Sequence, residues 1–215
     1  MEILEDSSNV KKAIMYATKM HDGQLRRDGT PYINHPLNVA KRVLTFKTSH
    51  NIETLVVSAI LHDVIEDTEG TYYDIVNLFG IEVASLVSEL TNNEDFKKAL
   101  GKEKYLELKM KNMTSWALVI KLCDRLDNVD DLKNTNESFQ KKYCLETINI
   151  LEFLLKNRYL SNTHLSIIEE ILKELKPLEV LSNSELWLIK ELEKIVEEKK
   201  NISEEANIIK SLRTN

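Results

Sequence analysis

The sequence predicts an all-α protein. Only five glycines and three prolines interrupt 215 residues, and no glycine follows Gly101. In addition, no stretch shows the alternation of apolar and polar residues between turn residues that a half-buried strand requires. The length is that of one domain, or of one domain with a helical extension.

The N-terminal helices are marked by their caps and by their apolar residues. A first helix is predicted over residues 9–21, with Ser7 or Ser8 as its N-cap. A polar loop follows, after which Pro36 suits the first position of a second helix. The central helix is predicted over residues 52–66 and is apolar on nearly every side. Such a helix is expected to be buried.

The next segments are shorter and end in a charged stretch. Thr71 and Asp74 resemble a capping box that starts a short helix, and Gly80 is placed to end it. Another helix is predicted over residues 81–90. Residues 92–112 are charged and weakly periodic, so we predict a mobile loop or loose helices there.

A second apolar run begins at Ser115, and three apolar stripes follow toward the C-terminus. We interpret the stripes as core or as helix–helix seams rather than as a cofactor site. Their members are Leu145, Ile148, Leu151, Leu154 and Leu155; Leu165, Ile168, Ile171, Leu172 and Leu175; and Leu186, Leu188, Ile189, Leu192 and Ile195.

Charged residues within the central apolar run indicate a cation. His62 and Asp63 lie in the middle of this run, where an unpaired carboxylate costs several kcal/mol. Glu66 and Asp67 follow four residues after them and share their helical face. Three carboxylates and one imidazole would repel without a positive partner, which a metal ion can provide. The simpler alternative is a polar helix end that emerges into water.

Two further candidate ligands come from other helices. His35 precedes Pro36, and Asp124 stands at the end of the second apolar run. Mixed nitrogen and oxygen ligands without sulfur suit manganese, iron, zinc or magnesium. The alternatives are that His35 caps its helix and that Asp124 forms a salt bridge with Arg125.

A metal at this position predicts hydrolytic chemistry. A divalent ion lowers the pKa of a bound water toward about 7. Glu66 and Asp67 are placed to orient that water or to take its proton, unless they only cap the helix end. Arg26 and Arg27 in the polar loop are suited to hold a phosphate, although neighbouring arginines are often plain surface.

Composition excludes several classes of protein. The formal net charge of −6 argues against binding of a nucleic acid polymer. No run reaches the length of about 18 apolar residues that a membrane span requires. Residues 1–6 are acidic and do not resemble a secretory signal. The two cysteines, Cys123 and Cys144, fit free thiols in a reducing compartment, so we expect a cytoplasmic protein.

Four ordered blocks resemble the hydrolase domain of the RelA/SpoT family. They are HDGQLRRDGTPYINHPL at residues 21–37, LHDVIEDT at 61–68, FG at 79–80 and IKLCDRLDN at 120–128. The resemblance covers about residues 9–155, and the single-domain small alarmone hydrolases fit best. It implies an HD-domain helical bundle.

The resemblance also implies a reaction and a set of site residues. The family removes the 3′-pyrophosphate of guanosine tetra- or pentaphosphate with one manganese ion, giving GDP or GTP and pyrophosphate. Matched onto this sequence, the metal ligands are His35, His62, Asp63 and Asp124. The water-activating pair is Glu66 and Asp67, and the substrate-binding residues are Arg26, Arg27, Asn128 and Lys141.

The chain departs from the family pattern at two positions. Asp127 stands where the family usually has His or Tyr, and Asp130 where it has Arg, which adds negative charge beside the pocket. An HD phosphohydrolase for another nucleotide, such as NADPH, and an inactive nucleotide-binding sensor remain alternatives. Residues 1–156 are predicted to form the phosphohydrolase domain. Residues 157–215 form a helical extension that packs on it or mediates homo-oligomer association.

Overall fold

A computed structural model describes the backbone of residues 7–213 and the side chains of residues 7–206. Every regular element of the described residues is a helix, which confirms the all-α prediction. The one isolated β-bridge among these residues joins Leu25 to Pro31. Residues 1–6, for which we predicted no signal segment, lie outside the described residues. No helix in the described part is both long and apolar enough to cross a bilayer.

The helices follow one another with short connections. In chain order they are α1 (Ser8–Met20), α2 (Asn34–Phe46), α3 (Ile52–Ile60), α4 (Val64–Asp67), α5 (Tyr72–Phe79), α6 (Ile81–Leu90), α7 (Glu94–Leu100), α8 (Lys102–Asn112), α9 (Ser115–Asp130), α10 (Glu137–Asn157), α11 (Asn162–Leu175) and α12 (Asn183–Arg213). A 3₁₀ turn, Asp131–Asn134, follows α9.

Helix α9 lies at the centre of the bundle. It packs against α2, α3, α6, α10 and α11. Because neighbours surround it, most of its apolar residues are buried, and Leu118, Ile120, Leu122 and Leu126 are fully buried. The charged residues of the same helix must therefore find their partners inside the protein.

The predicted helix caps are confirmed. Ser7 Oγ accepts a hydrogen bond from the backbone N–H of Val10 and caps α1. Thr71 and Asp74 form the complete capping box of α5. Gly80 ends α5 with φ of 89°, a left-handed conformation that favours glycine.

The prediction of one continuous central helix over residues 52–66 is wrong. Helix α3 ends at Ile60, and α4 begins only at Val64. In the intervening turn, Nδ1 of His62 donates to the carbonyl oxygen of Ala59 at 2.8 Å, and the Val64 N–H bonds to the carbonyl of Leu61. The side-chain bond takes the place of helical continuation and rotates the His62 ring into the interior.

The prediction of a mobile loop or loose helices at residues 92–112 is wrong for its second half. Helix α8 buries Tyr105, Leu106 and Met110, and Met110 is fully buried. Gly101, with φ of 80°, separates α8 from α7, which buries none of its residues. The sequence of α8 shows only weak apolar periodicity, because most of its residues are charged and only three are buried.

The C-terminal helices contribute to the core as predicted. The predicted stripe of α11 is fully buried against α9, and α12 packs on α11 and α10. The stripe of α12 is less complete, since Leu186, Leu188 and Ile195 are only partly buried. Lys200 also reaches Glu169 on α11 at 2.6 Å. The use of these helices for association stays a prediction.

Candidate metal centre and nucleotide cleft

Two buried histidines point the same ring nitrogen at one spot. Nδ1 of His62 is fixed by the Ala59 carbonyl, and Nδ1 of His35 lies 2.7 Å from Oδ2 of Asp127. The two ring centroids are 5.2 Å apart. Each ring therefore directs Nε2 into the space between α2 and the α3–α4 turn. Metal-binding histidines have the same arrangement, in which one ring nitrogen is hydrogen-bonded and the other faces the ion.

Two carboxylates meet these nitrogens. Oδ2 of Asp63 lies 3.0 Å from Nε2 of His62 and 3.7 Å from Nε2 of His35. Oδ1 of Asp124 lies 3.2 Å from Nε2 of His35 and 3.8 Å from Nε2 of His62. His35, His62 and Asp124 offer ligand atoms that all lie within 4.8 Å of one another. The structure thus brings together all four residues predicted as ligands.

The charge balance of this cluster suits a divalent cation. Nε2 of His62 is fully buried and has no hydrogen-bond partner of good geometry. Burial lowers the pKa of His62, but the carboxylates of Asp63 and Asp124 outweigh burial and raise it to about 10. Burial raises the pKa of Asp124, but Lys121 and the two histidines bring it well below its ordinary value. The two ionised carboxylates that stabilise positive charge on His62 would also stabilise a divalent cation between them.

Neighbours that the sequence did not reveal hold the two carboxylates. Nζ of Lys121 lies 2.8 Å from Oδ2 of Asp124, and Nδ2 of Asn128 donates to Oδ1 at 2.6 Å. The hydroxyl of Tyr32 donates to Oδ2 of Asp63 at 2.6 Å. Burial and the charge of Asp63 raise the pKa of Tyr32 well above its ordinary value, so Tyr32 remains a donor. The spacings of three residues from Lys121 to Asp124 and of four from Asp124 to Asn128 could have indicated two of these contacts, whereas nothing local indicated that of Tyr32.

The alternative that Asp124 pairs with Arg125 is wrong. The guanidinium of Arg125 points to the other side of α9, where it donates to Thr147 at 2.9 Å and to Glu146 at 3.2 Å. The side chain of Asp124 instead contacts Lys121 and the histidines. The two charged neighbours in sequence therefore belong to different clusters.

Glu66 is held firmly from the side of α6. Its two carboxylate oxygens accept hydrogen bonds from the backbone N–H and the Nδ2 of Asn92, at 2.9 and 2.8 Å. Nζ of Lys109 donates in turn to Oδ1 of Asn92 at 2.9 Å and to the carbonyl of Leu90 at 2.6 Å. Burial and the nearby Lys121 lower the pKa of Lys109 to about 7. Asn92 and Lys109 were missed because they lie in the segment that we predicted as loop.

Asp67 is more exposed and is linked to the ligands through Tyr32. Its Oδ2 lies 3.3 Å from the Tyr32 hydroxyl oxygen, whose single proton is donated to Asp63 at the shorter distance of 2.6 Å. Partial burial and the negative charges of Asp63 and Glu66 raise the pKa of Asp67. A carboxylate with a raised pKa beside a candidate metal centre is suited to exchange protons with water.

A cleft of about 270 Å³ opens beside His35. Three predicted substrate-binding residues, Arg26, Arg27 and Asn128, line it together with Tyr32, His35, Phe139 and Tyr143. The guanidinium carbon of Arg27 lies 3.8 Å from the centroid of the Phe139 ring. Because this stacking fixes the guanidinium, its donors are presented to the cleft at little entropic cost.

The fourth predicted substrate residue, Lys141, has a different partner. Its Nζ forms an ion pair with Glu185, which also caps the start of α12 through Ser182. Lys141 is not among the described residues that line the cleft. Its role toward substrate stays a prediction, and this contact would have to open first.

The two aspartates that depart from the family pattern are balanced by arginines. Asp127 is 4% exposed and contacts Arg26 at 3.0 Å and Arg42 at 3.3 Å. Asp130 pairs with Arg42 at 2.6 Å. Burial raises the pKa of Asp127, but His35 and the two arginines outweigh it and lower the pKa. The extra negative charge therefore does not face the cleft unpaired.

An all-helical fold around a buried cluster of two histidines and two aspartates is typical of HD proteins. A family model described as HD domain matches residues 13–159. Since this match spans more than half of the 215 residues, the chain belongs to the HD-domain family.

Relatives within this family carry the names of alarmone enzymes. A GTP pyrophosphokinase of Myxococcus xanthus is 37% identical over 153 residues, which are 67% of this chain and 20% of the relative. A guanosine-3′,5′-bis(diphosphate) 3′-pyrophosphohydrolase of Drosophila melanogaster is 36% identical over 129 residues, 59% of this chain and 71% of the relative. The chain thus spans about a fifth of the first relative and most of the second.

A solved structure shares both fold and sequence with the chain. It is described as a metazoan ortholog of SpoT that hydrolyses ppGpp, and it superposes with a TM-score of 0.65 at 28% identity. The match covers 78% of this chain and 96% of that protein. The resemblance to the RelA/SpoT hydrolase domain and to its single-domain relatives is confirmed.

Proposed function

We propose that the chain is a metal-dependent hydrolase that removes the 3′-pyrophosphate of ppGpp or pppGpp, giving GDP or GTP and pyrophosphate. One observation carries the proposal: two Nε2 atoms and two carboxylates converge beside a cleft that Arg26 and Arg27 line. Relatives that share this domain are named for the same reaction.

His35, His62, Asp63 and Asp124 would hold the ion, for which we propose manganese. Their nitrogen and oxygen donors suit this metal, and the fully buried Cys123 beside Asp124 is not part of the ligand group. When bound, a divalent ion supplies a Lewis acid that lowers the pKa of water toward about 7.

Glu66 and Asp67 handle the proton of the attacking water. Glu66 is fixed by both bonds from Asn92, so its carboxylate keeps one orientation. Burial and the neighbouring carboxylates raise the pKa of Asp67, which makes it a better proton acceptor than an ordinary aspartate. The hydroxyl of Tyr32 lies between Asp63 and Asp67, so the proton-handling group is next to the proposed ligands.

Arg26, Arg27 and Asn128 bind the nucleotide. Arg26 contacts Asp127 and Asp131, both at 3.0 Å, through its two terminal nitrogens. A guanidinium has five N–H donors, so a phosphate can be bound while these contacts persist. The guanidinium of Arg27, which lies on the Phe139 ring, has a planar face that is suited to stacking with a base.

A nucleotide panel tests the proposal and separates it from the two alternatives. Purified protein is incubated with Mn²⁺ and ppGpp, pppGpp or NADPH, and pyrophosphate and orthophosphate are scored separately. We expect pyrophosphate from the alarmones. Orthophosphate from NADPH alone would favour a different HD phosphohydrolase, and tight alarmone binding without turnover would favour a sensor. A parallel preparation of His62→Ala controls for contaminating hydrolases.

A further inference from the structure

Asp127 joins the candidate metal centre to the basic cleft. Its Oδ2 lies 2.7 Å from Nδ1 of His35 and 3.0 Å from Nη1 of Arg26, while its Oδ1 lies 3.3 Å from Nε of Arg42. With 4% exposure, the carboxylate is shielded from water, so these contacts are not weakened by solvent.

We propose that Asp127 is the positioning residue that orients His35 toward the metal and couples this ligand to Arg26. The inference rests on the metal site of the proposed function and adds a residue outside its ligand set. A carboxylate that accepts the Nδ1–H of a histidine fixes the tautomer and turns the Nε2 lone pair toward the ion. His62 has its Nδ1 fixed by a backbone carbonyl, so only His35 depends on a side chain for its orientation.

The coupling to Arg26 follows from the same carboxylate. Arg26 and His35 bond to one oxygen, Oδ2, so a shift of the carboxylate moves both groups. Arg42 holds the other oxygen and prevents rotation of the group. The geometry therefore connects the ion-binding side of the cleft to the side that would hold phosphate.

Asp130 provides a matched control. It is also an aspartate of α9 that contacts Arg42, at 2.6 Å, but it makes no contact with His35 and its side chain is 46% exposed. A general effect of lost negative charge near the pocket would appear in Asp130→Asn as well. An effect of positioning would appear only at Asp127.

The first readout is metal affinity, measured by calorimetric titration of metal-stripped full-length protein with MnCl₂ and without nucleotide. Asp127→Ala should weaken binding by about 10- to 100-fold, the usual effect of removing such a supporting carboxylate. Asp127→Asn should lose less, because its amide oxygen still accepts from Nδ1–H. Asp130→Asn should match wild type. If Asp127→Ala does not fold, Asp127→Leu decides, because leucine also cannot accept from Nδ1–H; an affinity equal to that of Asp130→Asn would overturn the proposal.

The second readout needs no metal. In metal-free protein with ¹⁵N-labelled histidine, the Nδ1–H signal of His35, assigned with His35→Gln, should be protected in wild type and lost in Asp127→Ala. A retained signal together with wild-type Mn²⁺ affinity overturns the positioning role, even if the protein hydrolyses alarmone. Conversely, loss of signal and affinity supports it even if alarmone is not the substrate, so the inference and the proposed function can fail separately.

Discussion

Neighbouring residues of α9 lead to two buried charged clusters of different character. Arg125 enters a cluster in which its two terminal nitrogens donate to Thr147 and Glu146, and its guanidinium lies 5.0 Å from the ring of Tyr143. Lys102 adds a second contact to Glu146 at 3.0 Å. Asp124 enters the cluster of His35, His62 and Asp63, in which Nε2 of His62 has no hydrogen-bond partner.

The difference separates a structural ion pair from a candidate metal-binding site. In the Arg125 cluster each charge meets an opposite charge within the protein, although Nε of Arg125, like Nε2 of His62, has no hydrogen-bond partner. In the Asp124 cluster, by contrast, several ligand atoms face one another across a common centre, where one cation would contact them all. Both clusters are buried, so burial of charge alone does not identify a functional site; the direction of the lone pairs does.

The largest effect is expected when a ligand of the Asp124 cluster is removed. His62→Ala should abolish both Mn²⁺ binding and turnover, because it deletes one of two nitrogen donors. Metal titration and the nucleotide assay measure the two losses. His164 supplies the control, since it is also a buried histidine but bonds to Ser161 and the Ser115 carbonyl. Full metal content in His62→Ala would contradict the assignment.

Removing basicity without removing ligands should give a smaller effect. Glu66→Gln with Asp67→Asn keeps shape, and general-base help is typically worth about 10²–10⁴ in rate. We expect kcat to fall by that range while Mn²⁺ affinity stays near wild type. Equal turnover of the double variant and wild type would show that another group takes the proton.

Breaking the Arg125 cluster should affect stability and not metal binding. Arg125→Met leaves Glu146 buried with Lys102 as its remaining cation, and loss of one partner of a buried pair typically costs about 3–5 kcal/mol. Denaturant unfolding measures this loss. A weakened Mn²⁺ affinity in the folded variant would contradict the separation of the two clusters.

The smallest effect is expected at the cleft. Arg27→Ala removes a charge-assisted contact worth about 1.5–3 kcal/mol, so KM should rise by about one to two decades with metal affinity unchanged. Arg26→Ala should add to this, although it also removes a partner of Asp127. Lys133→Ala, which removes a 71% exposed cation outside this cleft, is the matched control. Unchanged kinetics in Arg27→Ala would place the phosphates elsewhere.

The sequence indicated the candidate ligands more clearly than the groups that contact them. His62, Asp63, Glu66 and Asp67 could be identified together because helical spacing relates residues within a few positions. The spacing argument remained useful even though the helix is interrupted, because α4 resumes at Val64, immediately after the turn. The break at residues 61–63 contains no glycine or proline, and the His62 side chain bonds to the backbone there. No local sequence pattern therefore predicted it.

The supporting groups come from distant parts of the chain. Asn92 lies 26 residues from Glu66, and His35 lies 92 residues from Asp127. Asp127 in particular could be judged from sequence only as an added negative charge, whereas its arginine partners balance it in the fold. Such pairings depend on helix packing, which residue spacing along one helix does not encode.

The most direct test of the metal centre is a crystal structure with manganese, using anomalous diffraction at the manganese absorption edge. We expect a single strong anomalous peak within bonding distance of Nε2 of His35, Nε2 of His62 and the carboxylates of Asp63 and Asp124. A crystal of protein that binds Mn²⁺ in solution but shows its peak elsewhere, with these four side chains unbound, would contradict it.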